Sequence, residues 1–300
     1  KVLYSGICGK QIDEIEGKQP DRFLPHLLGH EGAGVVEDVG AGVKKAKKGD
    51  CVVLHWMKGS GIDSEPPHFK WGDKTVSAGW VTTFSEYTIA SENRVTKINS
   101  DDISLESVSL LGCAVTTGLG IVFNNANLKP GQSIIVFGAG GVGLNVIQGA
   151  RLVNASSIVA VDIHADKLTK AMEFGATATI LLKGKPQKIE GFDVAVDTTG
   201  IKSVREMTYN SAQKVIFAGV PRSDEKITID SYPIHAGRQI IGSHGGATNP
   251  DVDIPRYINL YKQGKLKLLE QITHRFPLSK INKAIQVVKK GEAGRCLIWM

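Results

Sequence analysis

The middle of the chain alternates short apolar runs with stretches of helical periodicity. From Val142 to Val153, apolar residues recur every three or four positions, which places them on one face of a helix. Further helices are predicted over Ala165–Phe174 and Lys202–Ala212. The predicted strands are Ser133–Phe137, Ser157–Val161, Thr179–Leu182, Phe192–Asp197, Lys214–Ala218 and Gln239–Gly242. Nearly continuous apolar runs that alternate with helices predict an α/β domain with a doubly wound parallel sheet.

The segment before this α/β region has a different pattern. Its β segments, at Gly34–Val39, Asp50–His55 and Phe84–Ala90, are separated by glycines. No long helical period occurs among them. This pattern predicts a mostly-β domain with irregular loops.

The C-terminal segment returns to mixed structure. Helices are predicted over Ile254–Lys262 and Lys280–Lys290. For the second helix, we expect Ser279 as the N-cap and Gly291 as the residue that follows its C-terminal end. Arg295–Trp299 is predicted to form a last strand.

Composition and charge argue against several classes of protein. Hydrophobic residues make up 42% and charged residues 22%, as in soluble globular chains, and no apolar stretch approaches the roughly 18 residues that span a bilayer. The net charge is +6, but the lysines are scattered, which argues against a nucleic-acid surface. Four cysteines are too few for a disulfide framework, so we expect reduced thiols and a cytoplasmic protein.

A glycine-rich turn follows the first predicted strand of the α/β region. Gly138-Ala139-Gly140-Gly141-Val142-Gly143 fits the pattern G-x-G-x-x-G and opens the first helix. The first glycine makes the turn, the second lets the backbone approach a pyrophosphate, and the third lets helix and strand pack closely. Asp162 stands 19 residues after Gly143, where a carboxylate accepts hydrogen bonds from ribose hydroxyls and repels a 2′-phosphate.

This context favours NAD over NADP, with Lys167 as a further ribose contact. The alternatives are a glycine-rich turn that binds nothing, or one that binds flavin or S-adenosylmethionine. A flavin fingerprint usually opens a chain, whereas this one begins at residue 138.

Three residues of the first domain region could together bind a soft metal. Cys8, His30 and Cys113 offer two thiolates and one imidazole, a set that suits Zn²⁺ and leaves its fourth tetrahedral position open. Taken singly, such residues are more often core cysteines or hydrogen-bonded histidines. No C-x-x-C occurs, so the spacing alone leaves both interpretations open.

Four motifs follow one another along the chain: Gly6-Ile7-Cys8-Gly9, Gly29-His30-Glu31-Gly32, Gly112-Cys113-Ala114-Val115-Thr116-Thr117-Gly118, and Gly138–Gly143 with Val161-Asp162. Together they resemble the zinc-containing medium-chain alcohol dehydrogenases, in that family's order and over essentially the whole chain. The resemblance implies a GroES-like mostly-β catalytic domain over residues 1–114 and 245–300, and a Rossmann NAD-binding domain over residues 115–244. Lys1 falls inside the first of these domains, so early strands are expected to be missing before it.

The resemblance also assigns roles to individual residues. It implies Cys8, His30 and Cys113 as ligands of a catalytic zinc, with Glu31 as the acidic neighbour able to approach the metal. The other implied contacts are Thr117 and the backbone of Ala218, Gly219 and Val220 with the nicotinamide, Arg295 with the pyrophosphate, and Trp56 with the substrate.

The chain departs from the family's pattern in two informative places. The stretch from His55 to Val81 has no cysteine where many members hold a structural zinc with four, so we expect one zinc per chain. Lys10 stands where the family usually has the serine or threonine that passes the alcohol proton outward, and Gln11 where an aspartate usually supports the metal shell. Lys10 either relays the proton, binds an anionic group of the substrate, or faces solvent while water relays the proton.

The resulting hypothesis is a zinc-dependent oxidoreductase that transfers a hydride between an alcohol or polyol, or the matching aldehyde or ketone, and NAD. One alternative is a zinc-free enzyme similar to quinone reductases, and another is a non-catalytic NAD-binding protein. By analogy with the family, we expect a homodimer or homotetramer that forms through the last strand of the Rossmann sheet, near Gln239–Gly242.

Overall fold

The central strand–helix repeat and the segments on either side of it fold as separate units. A computed structural model of the protein describes residues 1–18, 24–99, 103–183 and 188–300. One unit comprises Lys1–Thr116 and Asn249–Met300, and we call it the split unit. The other comprises Thr117–Thr248, and we call it the central unit.

Strands and helices are numbered in chain order. The strands are β1 Val2–Ile7, β2 Glu31–Val35, β3 Cys51–His55, β4 His68–Trp71, β5 Lys74–Ser77, β6 Val95–Ile98, β7 Ser133–Phe137, β8 Ser157–Asp162, β9 Ala178–Leu181, β10 Phe192–Asp197, β11 Ala212–Phe217, β12 Gln239–Gly242, β13 Ile272–Pro277 and β14 Arg295–Trp299. The α-helices are α1 Gly9–Ile15, α2 Leu105–Val108, α3 Ala114–Gly120, α4 Gly141–Leu152, α5 Ala165–Phe174, α6 Lys202–Ser211, α7 Tyr232–His235, α8 Pro250–Lys262 and α9 Ile281–Lys289. A π-helical turn, Ile121–Ala126, continues α3. Short 3₁₀ turns lie at Glu92–Arg94, Ser109–Gly112, Gly245–Ala247, Leu269–Gln271 and Leu278–Lys280.

The split unit is built on a six-stranded sheet in the order β13-β14-β1-β2-β3-β6, with β4 and β5 as a separate hairpin. The ladders are antiparallel except for the one between β13 and β14. Pairing of Tyr4 with Trp299 places the last strand beside the first. Ile7, Ile298 and Ala284 pack in one buried cluster, so α9 covers the sheet where β1 and β14 meet.

The central unit is a sheet of six parallel strands in the order β12-β11-β10-β7-β8-β9. Ile134 and Val136 of β7 pack in one buried cluster with Ile147 of α4. Ile135 and Phe137 of the same strand pack in a second cluster that includes residues of α6. Helices on both faces make this a doubly wound sheet, in which all the strands end at one edge.

The predicted α/β sheet and mostly-β first domain are confirmed, but two local predictions are wrong and one helix is missed. Phe84–Ala90 forms no strand, because its backbone bonds go to separate partners: Phe84 N–H donates to Leu28 and the Glu86 carbonyl accepts from Val2. The N-cap of α9 is Lys280 instead of Ser279, since the 3₁₀ turn Leu278–Lys280 precedes the helix. The helix α1 escapes prediction because so short a helix shows little periodicity.

The bounds of β2 also differ from the predicted Gly34–Val39. The glycines that suggested a break between segments lie inside this strand. A Cβ atom on Gly32 would lie 2.7 Å from the Tyr4 carbonyl oxygen, and one on Gly34 would lie 2.1 Å from that of Lys1. These glycines therefore let β2 approach β1 closely.

Among the described residues, no single helix is long and apolar enough to cross a bilayer. Leu105–Gly112 and Ala114–Ala126 meet both criteria only as a bent pair, and most of their residues are buried within the protein.

Candidate functional site

Four side chains with metal-binding atoms converge in the split unit. Cys8, His30, Glu31 and Cys113 each contribute one such atom, and these atoms lie within 4.8 Å of one another. The Cys113 Sγ is 3.8 Å from the Cys8 Sγ and 3.3 Å from the His30 Nε2. Zn–S bonds of about 2.3 Å and Zn–N bonds of about 2.0–2.1 Å would place such atoms about 3.8 and about 3.6 Å apart in a tetrahedral site. The donor set and its spacing therefore fit zinc.

The residues of this cluster lie at the ends of elements, where backbone turns bring them together. Cys8 is the N-cap of α1, directly after β1, and Cys113 follows the 3₁₀ turn Ser109–Gly112. Gly29, before His30, has a φ of +93°, and a Cβ atom there would lie 2.5 Å from the Thr83 hydroxyl oxygen. A Cβ atom on Gly112 would lie 2.3 Å from the Leu54 carbonyl oxygen. Glycine is thus required beside two of the ligands.

Contacts within the cluster shift the pKa values of its members. The pKa of Cys8 is held well below its ordinary value, mainly because the Cys113 thiol donates to it. The same contact, with burial, raises the pKa of Cys113. Burial lowers the pKa of His30, but the hydrogen bond and charge of Cys8 outweigh this effect, and the net shift is upward. The cluster therefore favours a thiolate at Cys8, the form that binds metal.

Glu31 is fully buried and pairs with Arg295 of β14. The Arg295 Nη2 donates to the Glu31 Oε1, whereas the Oε2 is buried without a hydrogen-bond partner among the described residues. Burial raises the pKa of Glu31. A buried carboxylate oxygen without a partner, beside two sulfurs and an imidazole, also fits a cation at this place.

Two residues of α1 surround the cluster. The Gln11 amide contacts the His30 Nδ1, and its Oε1 is buried without a partner in the described part of the chain. An imidazole that binds metal through Nε2 needs an acceptor for its Nδ1–H, and the Gln11 oxygen can take that place if the amide turns over. The Lys10 Nζ lies 3.3 Å from the Glu14 Oε1, one turn along the helix.

The glycine-rich turn of the central unit joins β7 to α4. A Cβ atom on Gly143 would lie 1.8 Å from the Gly138 carbonyl oxygen. Gly138 itself has a φ of +93°, and a Cβ atom there would lie 2.5 Å from the Thr198 hydroxyl oxygen. A Cβ atom on Gly140, the N-cap of α4, would have no atom within 4 Å. The outer glycines are required for packing, whereas Gly140 leaves open space at a helix N-terminus, where a pyrophosphate binds favourably.

A cavity of about 280 Å³ lies beside this turn, lined by Asp162 and Lys167 among others. Asp162 ends β8, and its carboxylate accepts hydrogen bonds from the N–H groups of Ala139 at 2.8 Å and His164 at 3.0 Å. These bonds fix the carboxylate at the cavity, where a carboxylate and an ammonium can both reach ribose hydroxyls.

The other residues implied for the nicotinamide lie on two segments of the central unit. The loop Ala218-Gly219-Val220 follows β11, and the Ala218 and Gly219 N–H groups donate to the Asp197 carbonyl. Thr117 is buried in α3, beside Gly118, where a Cβ atom would lie 2.5 Å from that of Asn145 in α4. This close packing holds Gly118, the residue next to Thr117, against the helix that begins at the glycine-rich turn.

The structure brings the predicted metal ligands into one cluster, and it places other predicted residues in new contacts. Arg295, implied to contact the pyrophosphate, is 4% exposed and bound to Glu31. Trp56 follows β3, and its carbonyl oxygen accepts a hydrogen bond from Arg94. Sequence reasoning missed the pair of Glu31 with Arg295, which are 264 positions apart, because no local pattern links such distant residues.

Two family models and several curated proteins match this chain. Residues 1–100 match the family model of the alcohol dehydrogenase GroES-like domain, and residues 141–263 match that of zinc-binding dehydrogenases. Alcohol dehydrogenase 6 of Peromyscus maniculatus is 33% identical over 339 aligned positions, which cover 99% of this chain and 89% of that protein. An S-(hydroxymethyl)glutathione dehydrogenase of Synechocystis is 30% identical, over 99% of this chain and 91% of that protein.

Among solved structures, benzyl alcohol dehydrogenase from Acinetobacter calcoaceticus has the same fold, with a TM-score of 0.85. It is 26% identical, and the match covers 100% of this chain and 91% of that one. The resemblance deduced from the motifs and the predicted oxidoreductase class are thereby confirmed. The chain belongs to the zinc-dependent alcohol dehydrogenase family.

Proposed function

We propose that this protein transfers a hydride between an alcohol or polyol and NAD, and in reverse reduces the matching aldehyde or ketone. The observation that carries the proposal is the set of two sulfurs and one imidazole nitrogen at the spacing of tetrahedral zinc ligands. When bound, zinc supplies a Lewis acid and NAD a hydride acceptor. The relatives named above, alcohol and S-(hydroxymethyl)glutathione dehydrogenases, support this reaction class.

In this proposal, Cys8, His30 and Cys113 hold the metal. Glu31 is the acidic neighbour, and Arg295 keeps its carboxylate beside the cluster. Gln11 orients the His30 ring through Nδ1. A role of Arg295 at the pyrophosphate stays a prediction, as does a role of Trp56 in the substrate pocket.

Lys10 is the proposed start of the proton route from the substrate hydroxyl. Its position two residues after Cys8 supports this role. Its ion pair with Glu14 lets the ammonium give one proton to the Glu14 carboxylate as Nζ takes the proton of the hydroxyl, so we propose that the route runs along α1. A bound anionic group of the substrate would compete with Glu14 for the same ammonium.

The chain is proposed to hold one catalytic zinc and no structural zinc. The stretch His55 to Val81 lacks cysteine, and carboxylates anchor its first part. Glu92 accepts hydrogen bonds from the N–H groups of Lys44, Lys45 and Ile62. Asp251 accepts two from Ser60, through its N–H and its hydroxyl. These bonds support a loop that keeps its shape without a second metal.

In the central unit, the glycine-rich turn is proposed to bind the pyrophosphate, Asp162 and Lys167 the adenosine ribose, and Thr117 with the loop 218–220 the nicotinamide. Asp162 supports NAD over NADP, because its carboxylate repels a 2′-phosphate. We propose the split unit as the GroES-like catalytic domain and the central unit as the NAD-binding domain. The units meet at residues 116–117 and 248–249, a few residues after the boundaries at 114–115 and 244–245 that the resemblance implies.

Assembly and location are further parts of the proposal. The strand β12 is the edge of the central sheet, and its residues are largely exposed, which supports a homodimer or homotetramer formed through this edge. Light scattering coupled to gel filtration tests it. The four free cysteines, two of them proposed zinc ligands, support a cytoplasmic location.

Metal content tests the proposal most directly. We expect about one zinc per folded chain in the wild type and in the control Cys51→Ser, and a loss of zinc in Cys113→Ser, by elemental analysis after exchange against a weak chelator. NADH formation from alcohols, followed by absorbance, should be lost with the zinc. A folded chain that binds NAD but no zinc would contradict the proposal, and quinone reduction by that chain would favour a zinc-free reductase.

A further inference from the structure

A buried ion pair connects two loops at the carboxyl edge of the central sheet. Asp197 ends β10, is 0% exposed, and accepts hydrogen bonds from the Thr199 N–H at 2.8 Å and hydroxyl at 2.7 Å. Its other oxygen lies 3.3 Å from the Nε of Arg205 in α6. The Arg205 Nη2 donates to the Gly219 carbonyl oxygen at 3.0 Å. One guanidinium therefore connects the loop after β10 with the loop after β11.

The two loops also lie in direct backbone contact. A Cβ atom on Gly219 would lie 2.0 Å from the Gly200 nitrogen. Gly200 has a φ of +72°, and a Cβ atom there would lie 2.3 Å from the Val220 carbonyl oxygen. The Ala218 and Gly219 N–H groups hold the start of the loop 218–220 to the Asp197 carbonyl, and Arg205 fixes the orientation of the Gly219 carbonyl.

The order of the strands indicates which part of a dinucleotide meets this loop. The strands β8 and β9 lie on one side of β7, and β10, β11 and β12 lie on the other. In such sheets each half binds one mononucleotide, across the point where the strand order reverses. Asp162 stands in the first half, so the loop 218–220 faces the nicotinamide half. This step rests on the proposed function, in which the central unit binds NAD.

Arginine suits this position better than other cations. Its planar guanidinium makes two directed hydrogen bonds at once, and here it also lies 4.7 Å from the centre of the Phe217 ring. The side chain is only 15% exposed, so its charge and its donors are largely removed from water. A lysine ammonium is a point charge and does not reproduce this planar geometry.

We propose that Arg205 is a positioning residue, which sets the loop 218–220 for the nicotinamide half of NAD while Asp197 holds its guanidinium. The loop 198–200 keeps its own bonds to Asp197 from Thr199 and Gly200 when Arg205 is replaced. Loss of the arginine therefore affects the nicotinamide half and leaves the adenosine half in place.

The test compares two ligands by titration calorimetry on the full chain. NADH contains both halves of the dinucleotide, whereas ADP-ribose lacks the nicotinamide. For Arg205→Met we expect the Kd of NADH to rise about tenfold, with that of ADP-ribose changed less than about twofold. Arg205→Lys should give a smaller rise for NADH. The control Arg151→Met removes an exposed arginine from the last turn of α4 and should change neither Kd.

Two results would overturn the proposed role of Arg205. Equal weakening of NADH and ADP-ribose would overturn the proposal, because it would show general loosening of the unit. An unchanged Kd of NADH in Arg205→Met would also overturn it. If Arg205→Met does not fold, Arg205→Lys alone decides between the same outcomes. A wild type that binds neither ligand would contradict the proposed function itself and this inference with it.

Discussion

The metal cluster draws its side chains from residues 8, 30, 31 and 113, whereas the glycine-rich turn uses the backbone of six consecutive residues, 138–143. In the cluster, strand ends and turns carry chemically specific side chains to one point. In the turn, the absence of side chains is the feature that matters, since two of the glycines have no space for a Cβ atom. The cluster should therefore respond to changes of side-chain chemistry, and the turn to changes of volume.

The largest expected effect tests the cluster. Replacement His30→Ala removes the only imidazole among its metal-binding atoms. We expect loss of the bound zinc and a fall of about a thousandfold or more in kcat/KM for alcohol oxidation, because metal-ion catalysis contributes several kcal/mol. Elemental analysis and NADH absorbance measure the two effects. A variant that loses zinc but keeps its activity would show that the cluster is structural.

Two glycine variants test the turn. In Gly143→Ala, a methyl group would lie 1.8 Å from the Gly138 carbonyl oxygen, so we expect the free energy of unfolding to fall by about 3 kcal/mol. Gly140→Ala meets no atom within 4 Å and should unfold like the wild type. Its methyl group would occupy the space for the pyrophosphate, so NADH binding should still weaken. Denaturant titration and calorimetry separate these effects, and equal stability losses in the two variants would contradict this division of roles.

Asp162 is the side chain that we propose gives the backbone-built turn its selectivity for NAD over NADP. In Asp162→Asn, the oxygen can still accept one of the backbone hydrogen bonds, but the charge that repels a 2′-phosphate is gone. We expect the ratio of kcat/KM for NAD to that for NADP to fall about tenfold or more. An unchanged ratio, measured with one alcohol and both cofactors, would show that the carboxylate only supports the turn.

A second buried histidine offers a contrast to His30 within the split unit. Burial lowers the pKa of His55 to about 4. Because the unfolded chain then binds the proton more readily, this histidine costs stability as the pH falls from about 6.5 toward about 4, at up to about 1.4 kcal/mol per pH unit. Denaturant titration of the wild type and His55→Gln at several pH values measures how much of the pH dependence of stability comes from His55. Parallel curves for the two proteins over this range would contradict it.

The strands and helices of the central unit can be predicted well from the sequence, because patterns within short segments mark them. Strands β7, β10 and β12 and helix α5 have the predicted bounds, since apolar runs between polar turns mark buried parallel strands. In the split unit, the predicted segment begins at Gly34, whereas β2 begins at Glu31, and Gly32 and Gly34 permit its close contact with β1. Phe84–Ala90 has the composition of a strand, but it has no neighbouring strand to pair with regularly.

The two candidate sites also differ in how far they can be predicted from local sequence patterns. The glycine-rich turn and Asp162 follow from spacing along the chain. Donor chemistry alone offers Cys8, His30 and Cys113 as a possible zinc set, but only the family resemblance favours it over separate core residues, because their separation in sequence carries no periodicity. The contacts around them, from Gln11 to His30 and from Arg295 to Glu31, depend on how strands pair. Pairing between distant strands is a tertiary property that local patterns do not encode.

The position of β14 between β13 and β1 has a consequence for the synthesis of this protein. The last strand completes the sheet that the first strand begins, and it also brings Arg295 to Glu31. The split unit therefore becomes complete only after residues 295–299 have left the ribosome, later than the whole of the central unit. The central unit is one continuous segment and can fold while translation proceeds. We expect a newly made chain to be ready for its nucleotide before it is ready for its metal.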